Sequence, residues 1–192
     1  MVARSERLSC TLRSVARVPT IDQVSDQDVA SFDSAQFRKV LGHFPTGVTI
    51  VTGMVGDIPA GFTIGSFTSV SLEPPLVGFL PMVSSDTWEA MAPAKKFCVN
   101  VLRDDQAALC WRFAKSGVGD DRFDEVVWNT SPTGCPIIEG VGAWIDCTLE
   151  HQFELGDHYM VVGKVVELDH HPHPHTPLVF YKGALGGFLA AD

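Results

Sequence analysis

The stretch Gly61-Phe62-Thr63-Ile64-Gly65-Ser66-Phe67-Thr68-Ser69-Val70-Ser71-Leu72-Glu73-Pro74-Pro75 decides the fold. Phe62 and Ile64 alternate as in a half-buried strand, then Gly65-Ser66 intervenes and the apolar positions resume at Phe67, Val70 and Leu72. A phase shift of this kind marks an irregular or bulged strand. Six of the nine residues from Thr63 to Ser71 are Thr, Ser or Gly. A bulge frees backbone N–H groups and the hydroxyls add donors without charge, a combination suited to a planar polar ring edge or a phosphate. The same composition suits the solvent face of an antiparallel sheet, and the stretch alone does not choose between the two.

Outward from it the chain reads as short β-rich runs: Val48 to Thr52, Ala60 to Leu72, Leu76 to Leu80, Lys96 to Leu102, Ala143 to Leu155, His158 to Leu168 and Leu178 to Tyr181. A helix opens at Phe32-Asp33-Ser34, where Asp33 or Ser34 caps it. Its apolar positions are Phe37, Val40, Leu41 and Phe44, and Pro45 is expected to end it. Two further helices are expected at Asp86 to Met91 and from Asp104 to about Lys115, the latter with a buried stripe of Ala108, Leu109, Trp111, Arg112 and Phe113. Strands outnumber helices and do not alternate with them. A mainly β fold with peripheral helices, an antiparallel closed barrel, fits better than a doubly wound parallel sheet.

The 192 residues carry 14 Lys+Arg against 23 Asp+Glu, a formal charge of −9. That is the size of one domain, and its acidity argues against nucleic acid or an anionic membrane surface as partner. Four arginines against Glu6 make the first twenty residues +3, so the remainder is −12. Residues 1 to 31 read as a flexible or disordered leader and 32 to 192 as the folded domain. The five cysteines, Cys10, Cys98, Cys110, Cys135 and Cys147, form no C-x-x-C pair. This disfavours zinc ribbons, thioredoxin-type chemistry and a secreted disulfide scaffold. With no secretory apolar stretch and no run long enough for a membrane helix, the expected address is the cytoplasm.

Several cofactor and catalytic signatures are missing. Gly117-Val118-Gly119 and Gly140-Val141-Gly142 have Arg122 and Ile145 where a dinucleotide loop needs its third glycine. There is no Walker loop, no H-E-x-x-H and no G-x-S-x-G. Four histidines, His170, His171, His173 and His175, cluster around Pro172 and Pro174; this tract reads as an extended loop, with no metal expected. Trp88, Trp111, Trp128 and Trp144 read as core or interface aromatics.

Five ordered segments carry a resemblance: Phe44 to Thr52 (FPTGVTIVT), Ala60 to Val77, Phe97 to Leu102 (FCVNVL), Gly156-Asp157-His158, and Pro177 to Gly183 (PLVFYKG). Together they resemble the short-chain flavin reductases, the reductase components of two-component flavin monooxygenases. The resemblance runs from about Phe32 to Phe188. It implies an FMN-binding split barrel of Greek-key type and a homodimer with flavin lying across the interface.

It also implies the site. The flavin ring is expected near Pro45, Thr46, Gly47 and Val48 and along Thr63, Ile64, Gly65, Ser66, Phe67 and Ser69. The phosphate side is expected near Ser69, Val70 and Ser71 and the Ser84-Ser85 turn before Trp88, where a helix end favours an anion. Asn100 is expected to face the same pocket, and Phe123, in an Arg122-Phe123 element, to approach the flavin. His158 is expected to orient the nicotinamide, with no acid or base group required because the redox chemistry belongs to the cofactors. Where many relatives carry an amide side chain before Ser66, this chain has Gly65.

The implied activity is transfer of hydride from NADH or NADPH to FMN or FAD, with reduced flavin supplied to a separate monooxygenase. The alternative is a split-barrel flavin carrier or electron-transfer protein without turnover. A pyridoxamine phosphate oxidase relative would require a basic phosphate pocket that so acidic a chain does not advertise. With amides and hydroxyls as the expected ligands, flavin affinity is expected to depend weakly on salt.

Overall fold

Asp33 accepts the Gln36 N–H at 2.7 Å and so caps α1 (Ser34–Leu41), which stops at Gly42, one turn before Pro45. The computed structural model describes residues 32–115, 120–172 and 174–191; the expected leader and His173 lie outside them. After α1 come β1 (Thr46–Gly47), β2 (Thr49–Val55), β3 (Ile58–Ile64), β4 (Thr68–Leu72), β5 (Pro75–Phe79), α2 (Asp86–Met91) and β6 (Lys96–Val101). They are followed by α3 (Ala107–Phe113), β7 (Trp128–Thr130), β8 (Pro136–Ile138), β9 (Ala143–Leu155), β10 (His158–His170), β11 (Val179–Tyr181) and β12 (Ala184–Gly186). The protein is mainly β, and every strand pairing among the described residues is antiparallel.

Seven strands form the main sheet in the order β3-β2-β6-β9-β10-β5-β4. The expected single run Ala60 to Leu72 is therefore two strands, β3 and β4, on opposite edges of that sheet. Only Gly65, Ser66 and Phe67 join them. An extended chain from Ile64 to Thr68 spans at most about 14 Å, whereas the outer strands of a flat seven-stranded sheet lie roughly 29 Å apart. The sheet must curl until its edges approach. β3 and β4 do not pair, so the ladder is not closed as a closed barrel requires. The bulge lies further along: Ser69 pairs with Val77 and Ser71 with Leu76, leaving Val70 as the extra residue.

The curled sheet buries two apolar clusters. In one, Phe79 meets Trp88 and Phe97 edge-to-face at centroid distances of 5.3 and 5.1 Å. In the other, Phe113 meets Phe123 at 5.0 Å beside Leu102, Ile138 and Leu178. The helix α3 presents Cys110 and Phe113 to this second cluster, while Ala108 and Trp111 face solvent, so the buried stripe is narrower than expected. A three-residue turn of 3-10 helix, Asp104–Gln106, precedes it.

Candidate functional site

A cavity of about 1430 Å³ opens where three segments meet: the end of α1 with Phe44 to Gly47, the Gly65–Thr68 crossover, and the turn between β11 and β12. β1 pairs with β11, and β11 with β12, as a small separate sheet that fixes one wall. The crossover is pinned by Ser66, whose hydroxyl oxygen accepts the Leu80 N–H at 2.9 Å and lies 3.3 Å from the Leu80 carbonyl. At Gly65 a Cβ would lie 3.0 Å from the Thr46 hydroxyl oxygen. A side chain at this position would require Thr46 to give by a few tenths of an ångström.

Of the residues singled out in the sequence, the cavity gathers Pro45, Thr46, Gly47, Gly65, Ser66 and Phe67. Val48 and Ile64 are buried in the core beside it. Thr63 turns its hydroxyl the other way, donating to the Cys110 carbonyl at 2.8 Å. Ser69, Val70 and Ser71 lie on the edge strand β4, with Ser69 and Val70 exposed.

Asn100 is fully buried, and its amide is used internally. Its nitrogen donates to Thr52 Oγ1 at 3.0 Å and Ile50 O at 3.3 Å, and its oxygen accepts the Ile138 N–H at 2.8 Å. Phe123 is packed between Phe113 and Trp128. The preceding Arg122 is buried too, donating to the carbonyls of Gly61 and Lys115 at 2.7 Å each, and burial lowers its pKa. This Arg-Phe element faces inward and does not line the cavity.

A second set of singled-out residues meets elsewhere. His158 opens β10, hydrogen-bonds Asp157 through Nδ1 at 2.7 Å, and bridges to Met82. That contact holds the Asp157 carboxyl below its usual range. The Asp157 carbonyl accepts the Val83 N–H, which places His158 beside the chain leading to Ser84 and Ser85. Ser84 is exposed, and Ser85 caps α2 by accepting the Trp88 N–H. Trp88 itself is buried, its indole N–H donating to Gln152 Oε1 at 3.1 Å. α2 is only six residues long and carries Asp86 and Glu89 in its first turn, so its own carboxylates oppose the anion expected there.

Sequence reasoning missed the cations. Arg38 and Lys39, from the last turn of α1, line the cavity together with Lys182 of the β11–β12 turn. The cavity lining is therefore not free of charge, unlike the set of amides and hydroxyls behind the salt expectation. Among the described residues one group has metal-ligand proximity, Asp104, Asp105 and His175. Its members face one another: the two His175 ring nitrogens lie 3.3 and 3.4 Å from the two carboxylates. Arg103 and Thr176 also bond them, at 2.7 Å each.

A family model described as "Flavin reductase like domain" matches residues 41–188. The chain belongs to this family. It is 51% identical over 162 residues to a flavin reductase of Pseudomonas putida, covering 84% of this chain and 94% of that one. Among solved structures it is similar to a homologue of nitrilotriacetate monooxygenase component B from Mycobacterium thermoresistibile. That match has 42% identity and a TM-score of 0.77, covering 81% and 86% of the two chains. It is also similar to an NADH:FAD oxidoreductase of Streptomyces globisporus in complex with NAD and FAD fragments, at 36% identity and TM-score 0.75, covering 82% and 93%. Both the crossover and the small sheet that frame the cavity lie within the matched flavin reductase domain.

Proposed function

We propose that the protein is an NAD(P)H:flavin oxidoreductase that reduces FMN or FAD and releases the reduced flavin to a separate monooxygenase component. The observation that carries this reading is the cavity built from Pro45–Gly47 and Gly65–Phe67 within a flavin reductase domain. Flavin and nicotinamide nucleotide, when bound, would supply the redox chemistry themselves, and the cavity residues would hold and orient them. The protein's work is to shape an aromatic cavity, supply amides and hydroxyls at the ring edge, and keep the site open for exchange.

The fold is read as a split barrel. Support comes from the curled sheet whose edge strands are joined by three residues. The working unit is read as a homodimer, because several large apolar side chains among the described residues are exposed. Phe44 is 73% and Leu72 91% exposed, and Met82, Phe153, Leu155, Val166 and Leu168 are exposed as well. In this reading His158 orients the nicotinamide. The protein is assigned to the cytoplasm; no described helix is long and apolar enough to cross a membrane.

Purified protein is expected to oxidise NADH or NADPH only when FMN or FAD is supplied. No turnover with any pairing of the two nucleotides and two flavins would refute the assignment, and tight flavin binding without turnover would favour a carrier.

A further inference from the structure

Acidic residues outnumber basic ones 23 to 14 in this chain, yet among the described residues no Asp or Glu lines the cavity, while Arg38, Lys39 and Lys182 do. None of the three forms an ion pair among the described residues. The Arg38 guanidinium hydrogen-bonds the Ser34 hydroxyl at 3.3 Å, and the Lys182 ammonium lies 5.2 Å from the centre of the Tyr181 ring. Cations gathered without counter-charge in an acidic protein create a local positive field that favours an anionic ligand.

Two elements converge to make this edge. The Lys182 N–H donates to the Gly42 carbonyl at 3.1 Å and docks the β11–β12 turn on the end of α1. Lys182 and Gly183 both have positive φ, 49° and 81°, as the tightest hairpin turn requires. Asn or Gly is the unstrained choice at the first of these positions, so the lysine is held there against its backbone preference. Basic residues in the last turn of α1 complement its carbonyl end, but that does not explain a third cation from a different element. The walls are aromatic, with Phe37, Phe44, Phe67 and Phe180.

We propose that Arg38, Lys39 and Lys182 form a phosphate-reading edge, so that the cavity selects a ring carried on a phosphate over its unphosphorylated analogue. This rests on the flavin reductase reading and names the part of the substrate that the site recognises. The phosphate belongs either to the flavin or to the nicotinamide nucleotide, and kinetics separates the two.

The test compares kcat/KM for FMN against riboflavin, and for NADH against reduced nicotinamide riboside, in wild type, Lys182→Gln and the double variant Arg38→Gln/Lys39→Gln. Loss of a charge-assisted phosphate contact should lower one of these ratios about tenfold or more. A fall confined to FMN/riboflavin assigns the phosphate to the flavin; a fall confined to NADH/riboside assigns it to the nucleotide. Unchanged ratios, or equal losses for both members of each pair, would overturn the proposal. Lys182→Gly removes the charge while suiting the positive φ, so it reports on the charge even where Lys182→Gln folds poorly. If the wild type turns over no flavin, the functional reading fails, and the edge is judged by equilibrium binding of FMN against riboflavin. Added salt should then weaken FMN alone; equal salt response of the two would count against it.

Discussion

The Ser66 hydroxyl is held between the two backbone polar groups of Leu80, 2.9 Å from its nitrogen and 3.3 Å from its carbonyl oxygen. One side chain thus ties the three-residue crossover to the end of β5 and sets where the cavity wall stands. Ser66→Ala should cost about 1–3 kcal/mol by leaving partly buried backbone groups unpaired, and should raise the KM for flavin. Urea unfolding and flavin-dependent NADH oxidation measure both. An unchanged midpoint together with an unchanged KM would mean that the crossover is held by something else.

Asn100 joins β6 to β2 and β8 from a fully buried position, and no atom of it reaches the cavity. Asn100→Ala leaves the buried Ile138 N–H without its acceptor, while the Thr52 hydroxyl keeps its bonds to the Cys98 and Pro136 carbonyls, and is expected to destabilise the protein by about 1–3 kcal/mol. The fraction that remains folded should bind flavin with near wild-type affinity. A variant of full stability that has lost flavin binding would instead make Asn100 a ligand.

Burial raises the thiol pKa values of Cys98 and Cys147, with the nearby Asp146 charge adding to it, and pushes Cys147 up to about 12. An unfolded thiol ionises near about 8.5. Above that pH the unfolded chain binds fewer protons than the folded one, so stability falls as pH rises, by about 1.4 kcal/mol per pH unit for each thiol. Urea midpoints at about pH 8 and about pH 10 should show the drop. Cys147→Ala should make it shallower by one thiol's share, with Cys98 still contributing, and an equally steep drop in that variant would place the effect on other groups.

Much of this architecture is legible in local pattern. The long hairpin strands β9 and β10, the capped α1 and the helix Asp86–Met91 all lie close to where alternation and capping residues put them. The phase shift at Gly65-Ser66 was readable as an irregularity. That it carries the chain between opposite sheet edges depends on the order of strands distant in sequence. β1, β7, β8 and β12 have two or three residues each, too short to show a period. The inward direction of the Asn100 amide was not legible because β6 is a central strand whose middle four residues are all buried; without alternation, the sequence does not say which face a residue takes. Lys182 is far in the chain from Arg38 and Lys39, and the three come to line one cavity where the β11–β12 turn docks on Gly42.

The central claim is that the cavity between Thr46 and the Gly65–Phe67 crossover is where flavin is reduced. Its most direct test is the rate of NADH oxidation as a function of FMN concentration for wild type and Thr46→Arg, with folding of both verified by circular dichroism. Thr46 lines the cavity, and the longer side chain would occupy it. A saturating wild-type curve beside a flavin KM raised about tenfold or more, equivalent to about 1.4 kcal/mol of lost binding, is the predicted result. Superimposable curves from two folded proteins would contradict it.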